Sequence, residues 1–220
     1  MNDIPILIPV KGVSKRCPNK NSKLLPYAVK FLMEQNCMKN AVVISDDSQL
    51  ISLAQKYGLS TFFEMREDDQ DELTSCCKYL QNTKHEAFIL LPVTQPFKSK
   101  ELIQDCILMY EKVKDEIDFI TSYTEVTNRE CFYINTNGKT PSFLNKQMVR
   151  KGESCVTTQM IDGAIYMIKT RFIQQINSAD NTNKAFWSGK FKCINNQAPF
   201  MDIDSLDDMN KFLFLENFFR

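Results

Sequence analysis

An alternation of two kinds of segment constrains this 220-residue chain more than any other feature of its sequence. Ile4–Pro9, Ala41–Ser45, Thr61–Glu64, Ala87–Leu91 and Asp118–Ser122 are short apolar runs that read as strands buried on both faces, as in a parallel sheet. Between them, Tyr27–Asn36, Ser48–Tyr57, Glu72–Gln81 and Lys100–Lys112 carry apolar residues at helical spacing, and Gly58 closes the second at a C-cap position. This rhythm predicts an α/β, three-layer, Rossmann-like fold with a mostly parallel central sheet and right-handed crossovers. In such sheets ligands collect beyond the carboxyl ends of the strands, so the loops after Pro9, Ser45 and Leu91 should face one crevice. The pattern resumes with a strand at Gly163–Lys169 and ends in a helix at Ser205–Phe219. Between Thr124 and Thr158 it fades into polar sequence with turn chemistry at Asn135–Gly138 and a basic pair at Arg150-Lys151. A single domain over 1–220 is expected, with a small inserted flap or dimerisation arm at about 124–160.

Composition removes several function classes. Lys plus Arg and Asp plus Glu each number 27, so the chain lacks the broad basic surface that non-specific nucleic-acid binding draws on. The longest apolar runs, Ile4–Val10 and Ala87–Val93, are too short to span a bilayer, and Met1–Ile4 has no basic n-region. No membrane partner is expected, and the cytoplasm is the expected compartment. The eight cysteines are scattered without a C-x-x-C pair, and His85 is the only histidine. Finger-type zinc sites therefore have no ligand set, and the cysteines read as reduced, small core residues. His85, in the polar stretch Asn82–Glu86, reads as a surface residue before a strand rather than a catalytic base.

Charge is balanced overall but not locally. From Ile4 to Met33 there is no acidic residue and there are six cations, Lys11, Lys15, Arg16, Lys20, Lys23 and Lys30. Four of them fall between Pro9 and Asn21, in the loop that leads from the first strand to the first helix. Flexible point charges beside backbone N–H groups at a helix start are what a polyphosphate needs. The loop holds neither a Walker A ending nor a G-x-G-x-x-G fingerprint, which removes P-loop ATPases and Rossmann dehydrogenases.

The segment Ile8-Pro9-Val10-Lys11-Gly12-Val13-Ser14-Lys15-Arg16-Cys17-Pro18-Asn19-Lys20-Asn21 resembles the signature I-P-A-R-x-G-S-K-x-x-P-x-K-N of the acylneuraminate cytidylyltransferases, the CMP-sialic acid synthetases. Further on, Val43–Asp47 is similar to V-S-T-D-D, Leu90–Pro96 to L-L-Q-P-T-S-P, Asp162–Tyr166 to N-G-A-I-Y and Met201–Asp204 to the late D-I-D of that family. These five segments fall in the family's order and span nearly the whole chain. The resemblance implies a nucleotidyltransferase fold and the transfer of CMP from CTP to the anomeric hydroxyl of a nonulosonic acid, an acidic nine-carbon sugar, with release of pyrophosphate. It places Lys11, Ser14, Lys15 and Lys20 at the triphosphate, with Lys20 stabilising charge as the α–β bond breaks; Gly12 belongs to the same nucleotide-binding loop, and Arg16, where the family pattern has a small residue, adds a cation beside the phosphates. It also implies that Asn21 contacts the cytidine part, that Thr94, Gln95 and Asp162 lie toward the acceptor, that Asp202 and Asp204 bind Mg²⁺, and that the protein is a homodimer. Lys11, Lys20, Asp202 and Asp204 are then the catalytic set.

The residues themselves agree in part. Asp202 and Asp204 are two apart, so in an extended strand both carboxylates meet one side, as a cation shared with phosphates requires. Asp207 and Asp208 read as first-turn acids of the last helix, and Asp46-Asp47 serves equally as a ligand or as the cap of the helix from Ser48. Departures from the family pattern gather on the acceptor side, where Pro92 replaces a glutamine and Asp162 an asparagine, while Lys11 replaces an arginine and Val13 a glycine in the first loop. Lys98, Arg150 and Lys151 are then the available partners for an acceptor carboxylate, and Trp187 is read as packing. Two other classes stay open: a nucleotide-binding homologue without turnover that serves as a partner subunit, and a D-x-D glycosyltransferase, which leaves the cationic loop unexplained.

Overall fold

The computed structural model describes residues 4–67, 70–81, 83–128, 134–135, 142–143, 156–177 and 182–219. Its centre is a sheet in the order β3-β2-β1-β4-β8-β5-β9, built from β1 (Ile6–Pro9), β2 (Ala41–Ser45), β3 (Ser60–Phe63), β4 (Ala87–Leu90), β5 (Phe119–Asn128), β8 (Val156–Lys169) and β9 (Phe191–Asn195). β1 pairs in parallel with β2 and β4, β2 with β3, and β5 with β9, while β8 runs antiparallel between β4 and β5. Along β1 the side chains alternate: Ile6 and Ile8 enter one core and Leu7 the other. That is why the run is continuously apolar. The first core is closed by α1 (Lys20–Glu34), α2 (Ser48–Lys56), α4 (Leu102–Val113) and α7 (Leu206–Phe219), through residues such as Leu24, Leu50, Ile103 and Phe212. The second is closed by α3 (Glu72–Leu80), α5 (Thr170–Ile176) and α6 (Thr182–Trp187), through Cys76, Leu80, Phe172 and Phe186. The result is the three-layer α/β arrangement.

Several boundaries differ from the sequence expectation. α1 starts at Lys20 rather than Tyr27, with Pro26 inside it, because its polar opening residues carry no apolar period. β3 is an edge strand and half-exposed, not buried on both faces. β9, α5 and α6 are short and were hidden by a polar stretch. The expected insert at 124–160 contributes its two ends to the central sheet, since β5 continues to Asn128 and β8 begins at Val156. Within it β6 (Ile134–Asn135) pairs antiparallel with β7 (Ser142–Phe143), while the turn at 136–138 and the Arg150-Lys151 pair lie outside the described residues. Cys17, Cys37, Cys76, Cys77, Cys106 and Cys193 are free thiols, five of them buried, and Cys131 and Cys155 lie outside the described residues.

One irregularity shapes the cleft. The β5–β8 ladder pairs Thr121 with Tyr166 and then Tyr123 with Ile161, so the residues 162–165 bulge out opposite Ser122. Gly163 supplies the positive φ of 66° that the bend needs, a conformation costly for other residues. Ser122 replaces the missing ladder bonds: its Oγ accepts from the Ala164 and Ile165 amides at 3.1 and 3.2 Å and donates to Asp162.

Phe119 lies at the centre of the second core, fully buried and stacked on Phe186 at 4.1 Å and Phe191 at 5.0 Å. Phe119→Ala is expected to cost about 3–5 kcal/mol of unfolding free energy. Urea denaturation would read this as a lowered midpoint with an unchanged slope; a midpoint within error of the wild type would contradict the packing described.

Candidate active site

The loop after β1 is held by backbone and short side chains. The Gly12 amide donates to Asp46 Oδ1 at 2.8 Å, and a Cβ at Gly12 would lie 2.7 Å from Asp47, so only glycine fits. Asp47 caps α2 by accepting from the Gln49 amide at 2.6 Å and the Leu50 amide at 3.3 Å. The acidic pair thus divides its work: Asp47 starts a helix, and Asp46 fixes the loop. Cys17 buries the loop's middle, its amide donates to Ser14 Oγ at 3.4 Å, and Asn19 takes the left-handed turn (φ 59°) into α1. That helix has no side-chain cap and no acid in its first turn, so although the Lys20 amide donates to Cys17 O at 3.2 Å, its positive dipole end is free of a protein anion there.

The far end of the chain meets this helix start. Lys20, 8% exposed, donates from Nζ to Ile203 O at 2.9 Å and to Asp204 Oδ1 at 3.1 Å. Arg16 Nη2 reaches the other oxygen of Asp204 at 3.1 Å. Asn21 Nδ2 donates to Lys11 O at 2.7 Å, tying the cationic loop to the first turn of α1. Residues 202–204 form no strand of the sheet, but the Ile203 amide donates to Thr94 O at 2.9 Å and its side chain is fully buried. The flanking carboxylates of Asp202 and Asp204 are both left on the cleft wall. Ser205 and Asp208 cap α7 reciprocally, with Asp208 Oδ2 accepting from the Ser205 amide at 2.9 Å and Ser205 Oγ accepting from the Asp208 amide at 3.2 Å. Asp204 is therefore not needed as the cap. Burial, and then the charge of Asp204, hold the Asp202 carboxyl above the usual carboxylate range, although Lys20 and a hydrogen bond from Thr94 oppose this.

These groups surround a cavity of about 440 Å³ at the carboxyl ends of β1 and β4. It gathers Lys11, Arg16, Lys20, Asn21, Thr94, Asp202 and Asp204. Gly12, Ser14, Lys15 and Asp46 do not line it; Gly12, Ser14 and Asp46 shape the loop, and Lys15 is exposed outside the cavity. Sequence reasoning missed the opposite wall, made by Arg66, Gln70, Glu72, Tyr166 and Trp187. Arg66 is positioned by Glu64, whose Oε1 lies 3.6 Å from its Nε and whose other oxygen accepts from Gln70 at 3.0 Å. The available signal was topological: Arg66 follows the third parallel strand, whose loop belongs on the same rim. Burial pushes the Tyr166 phenol up to about 12.

A second lobe, toward β8, holds the three residues expected near an acceptor, of which Asp162 is engaged inside the protein and Gln95 is buried. Asp162 is 4% exposed and accepts from Ser122 and from the Ala164 amide at 3.0 Å on one oxygen, and from Asn196 Nδ2 at 2.8 Å on the other. Its carboxylate stabilises the bulge. Gln95 is buried, leaving Thr94 as the more accessible of the three. Lys98 donates from Nζ to Pro92 O at 3.0 Å and to Gln95 O, anchoring the 92–95 turn.

No protein-family model matches the chain. It is 25% identical over 178 residues to a pseudaminic acid cytidylyltransferase of Campylobacter jejuni, covering 73% of this chain and 75% of that protein. It is 23% identical over 218 residues to a CMP-N,N'-diacetyllegionaminic acid synthase of Legionella pneumophila, covering 90% of each. Among solved structures, a CMP:2-keto-3-deoxy-manno-octonic acid synthetase complexed with CTP superposes with a TM-score of 0.71 at 13% identity, over 98% of this chain and 99% of that one. The structural likeness establishes the three-layer α/β fold, and the sequence relatives bear out the resemblance to the CMP-sialic acid synthetase-like family.

Burial lowers the Lys98 amine to about 7, against 10.5 for an ordinary lysine, with Asp162 opposing. The unfolded chain then holds this proton over a pH range in which the folded one has lost it, so stability contributed here rises from pH 7 toward ~10. The expected outcome is that urea-unfolding free energy climbs less steeply with pH in Lys98→Met than in the wild type. Parallel pH curves would show that the amine is not buried in this way.

Proposed function

We propose that this chain is a CTP-dependent cytidylyltransferase that transfers CMP to the anomeric hydroxyl of a nonulosonic acid and releases pyrophosphate. The observation that carries the reading is the meeting of Lys11, Arg16 and Lys20 with Asp202 and Asp204 around one cavity at an uncapped helix start. Cations and helix N–H groups suit a triphosphate, and the adjoining lobe leaves room for an acceptor. The relatives named as cytidylyltransferases supply the nucleotide and the class of sugar. In the reaction the hydroxyl oxygen bonds to the α-phosphorus, the bond from that phosphorus to the bridging β-phosphate oxygen breaks, and pyrophosphate leaves with the electron pair. The hydroxyl proton is released to solvent. Such a transfer demands positioning and charge neutralisation more than covalent help. Lys20 is held where charge builds on the leaving group, Lys11 and Arg16 add flexible charge at the rim, and Asn21 braces the loop while contacting the cytidine part.

Mg²⁺ is the proposed cofactor, held by Asp202 and Asp204. Their fit rests on position: the two carboxylates flank the buried Ile203 and both line the cavity that gathers Lys11, Arg16 and Lys20. Among the described residues no group of three or more carboxylates, cysteines or histidines could hold a metal alone. An ion here would complete its shell with phosphate oxygens, as Mg²⁺ commonly does. When bound it neutralises phosphate charge. A homodimer in the cytoplasm belongs to the same reading: sequence resemblance supports the first. No helix among the described residues is long and apolar enough to cross a membrane.

Pyrophosphate release from CTP and Mg²⁺ with a panel of acidic sugars is expected with at least one acceptor. Lys20→Met and Asp202→Asn should each lower kcat by about 10²–10³-fold while circular dichroism stays that of the wild type. CTP binding without release on any acceptor would favour the non-catalytic homologue. Absence of CTP binding would overturn the proposal.

A further inference from the structure

The 92–95 turn after β4 carries Thr94 into the cleft and touches the segment of Asp202 and Asp204 directly. Thr94 O accepts from the Ile203 amide at 2.9 Å, and the Thr94 hydroxyl hydrogen-bonds to the Asp202 carboxylate. Any looseness in the turn is therefore passed to Asp202, and misplacing a positioned group by ~1 Å can cost about 10²-fold in rate. The turn is braced from one point. Lys98 Nζ donates to Pro92 O at 3.0 Å and to Gln95 O, the carbonyls at its two ends. The same ammonium lies 6.0 Å from the centre of the Phe31 ring, which is buried on α1, the helix whose first turn holds Lys20 and Asn21. Asn196 fixes the far end of the loop separately, accepting from the Ser99 amide at 2.9 Å. Both acceptors of Lys98 are backbone carbonyls, so its charge shapes the loop.

We infer that Lys98 is a positioning residue for the transfer: its ammonium fixes the 92–95 turn and, through Thr94, the placement of Asp202 beside the nucleotide. The inference rests on the cytidylyltransferase reading above. The groups that face Lys98 set when it is charged. Asp162, from the bulge of β8, favours the ammonium and burial opposes it, while Lys23, Lys30 and Glu34 of α1 and Glu216 of α7 border the open cavity on which Lys98 also lies. Burial prevails, so the amine gives up its proton at about 7. A neutral amine still donates, but its hydrogen bonds are weaker than those of an ammonium. The turn is therefore held most tightly below that pH and loosens above it. An arginine at the same place would stay charged throughout.

The test is kcat of the full chain with saturating CTP, Mg²⁺ and an accepted sugar acid, followed from pH ~6 to ~9 in the wild type, Lys98→Arg and Lys98→Met. At the acid end Lys98→Met is expected to lower kcat by ~10²-fold while the KM for CTP and the circular dichroism stay those of the wild type. Lys98→Arg should restore most of the loss there. The ratio of wild-type to Lys98→Arg kcat cancels titrations common to both, and it should fall by ~10-fold as pH rises, because only the lysine discharges. A ratio flat with pH would overturn the inference and leave the cytidylyltransferase reading standing, as would a Lys98→Met kcat equal to that of the wild type. Equal losses in Lys98→Arg and Lys98→Met would make the position one of shape alone, and would also overturn it. Where Lys98→Met does not fold, the ratio decides. A wild type silent with every acceptor would overturn both readings.

Discussion

The buried ammonium of Lys20 is the contact on which the site depends. It joins the first turn of α1 to Ile203 O and Asp204, 183 and 184 residues further along the chain. A lysine removed from water must be paired and hydrogen-bonded, so this one requires the late carboxylates to lie at the helix start. The loop before α1 inherits its path from that requirement. Arg16 follows Lys20 to Asp204, and Asn21 draws back the Lys11 carbonyl. The site is thus closed before any ligand enters, and an incoming polyphosphate meets cations already placed, competing with Asp204 for them.

A second buried network governs the other half of the cleft. Ser122, Asp162 and Asn196 hydrogen-bond together beneath the bulge of β8, and Asn196 also accepts from the Ser99 amide at 2.9 Å. Lys98 ties the same region to the 92–95 turn. These polar groups satisfy one another inside the protein, while Glu72, Thr94 and Asp202 line the cleft there beside Ile161, Trp187 and Phe200.

The strand–helix rhythm was legible because buried parallel strands are apolar on both faces, and Ala41–Ser45 is recovered residue for residue. The cationic loop stood out against a chain of zero net charge, and the spacing of Asp202 and Asp204 pointed to one side of an extended segment. What stayed hidden depends on burial and long-range pairing. Asp162 and Lys98 carry charges that read as surface ligands, yet both are satisfied internally by partners distant in sequence or by backbone carbonyls. Asp46 and Asp47 could be told apart only by the Gly12 amide and the α2 N-terminus that each of them meets. Arg66 and Trp187 reach the cleft through a loop and a six-residue helix whose sequences carry no periodic signal.

The arrangement is tested most directly by a crystal structure of the protein with CTP and Mg²⁺. The account predicts the triphosphate across the start of α1, with Lys20 Nζ turned to the phosphates and Asp202 and Asp204 on the ion. A nucleotide bound elsewhere, with Lys20 still donating only to Ile203 O and Asp204, would contradict it.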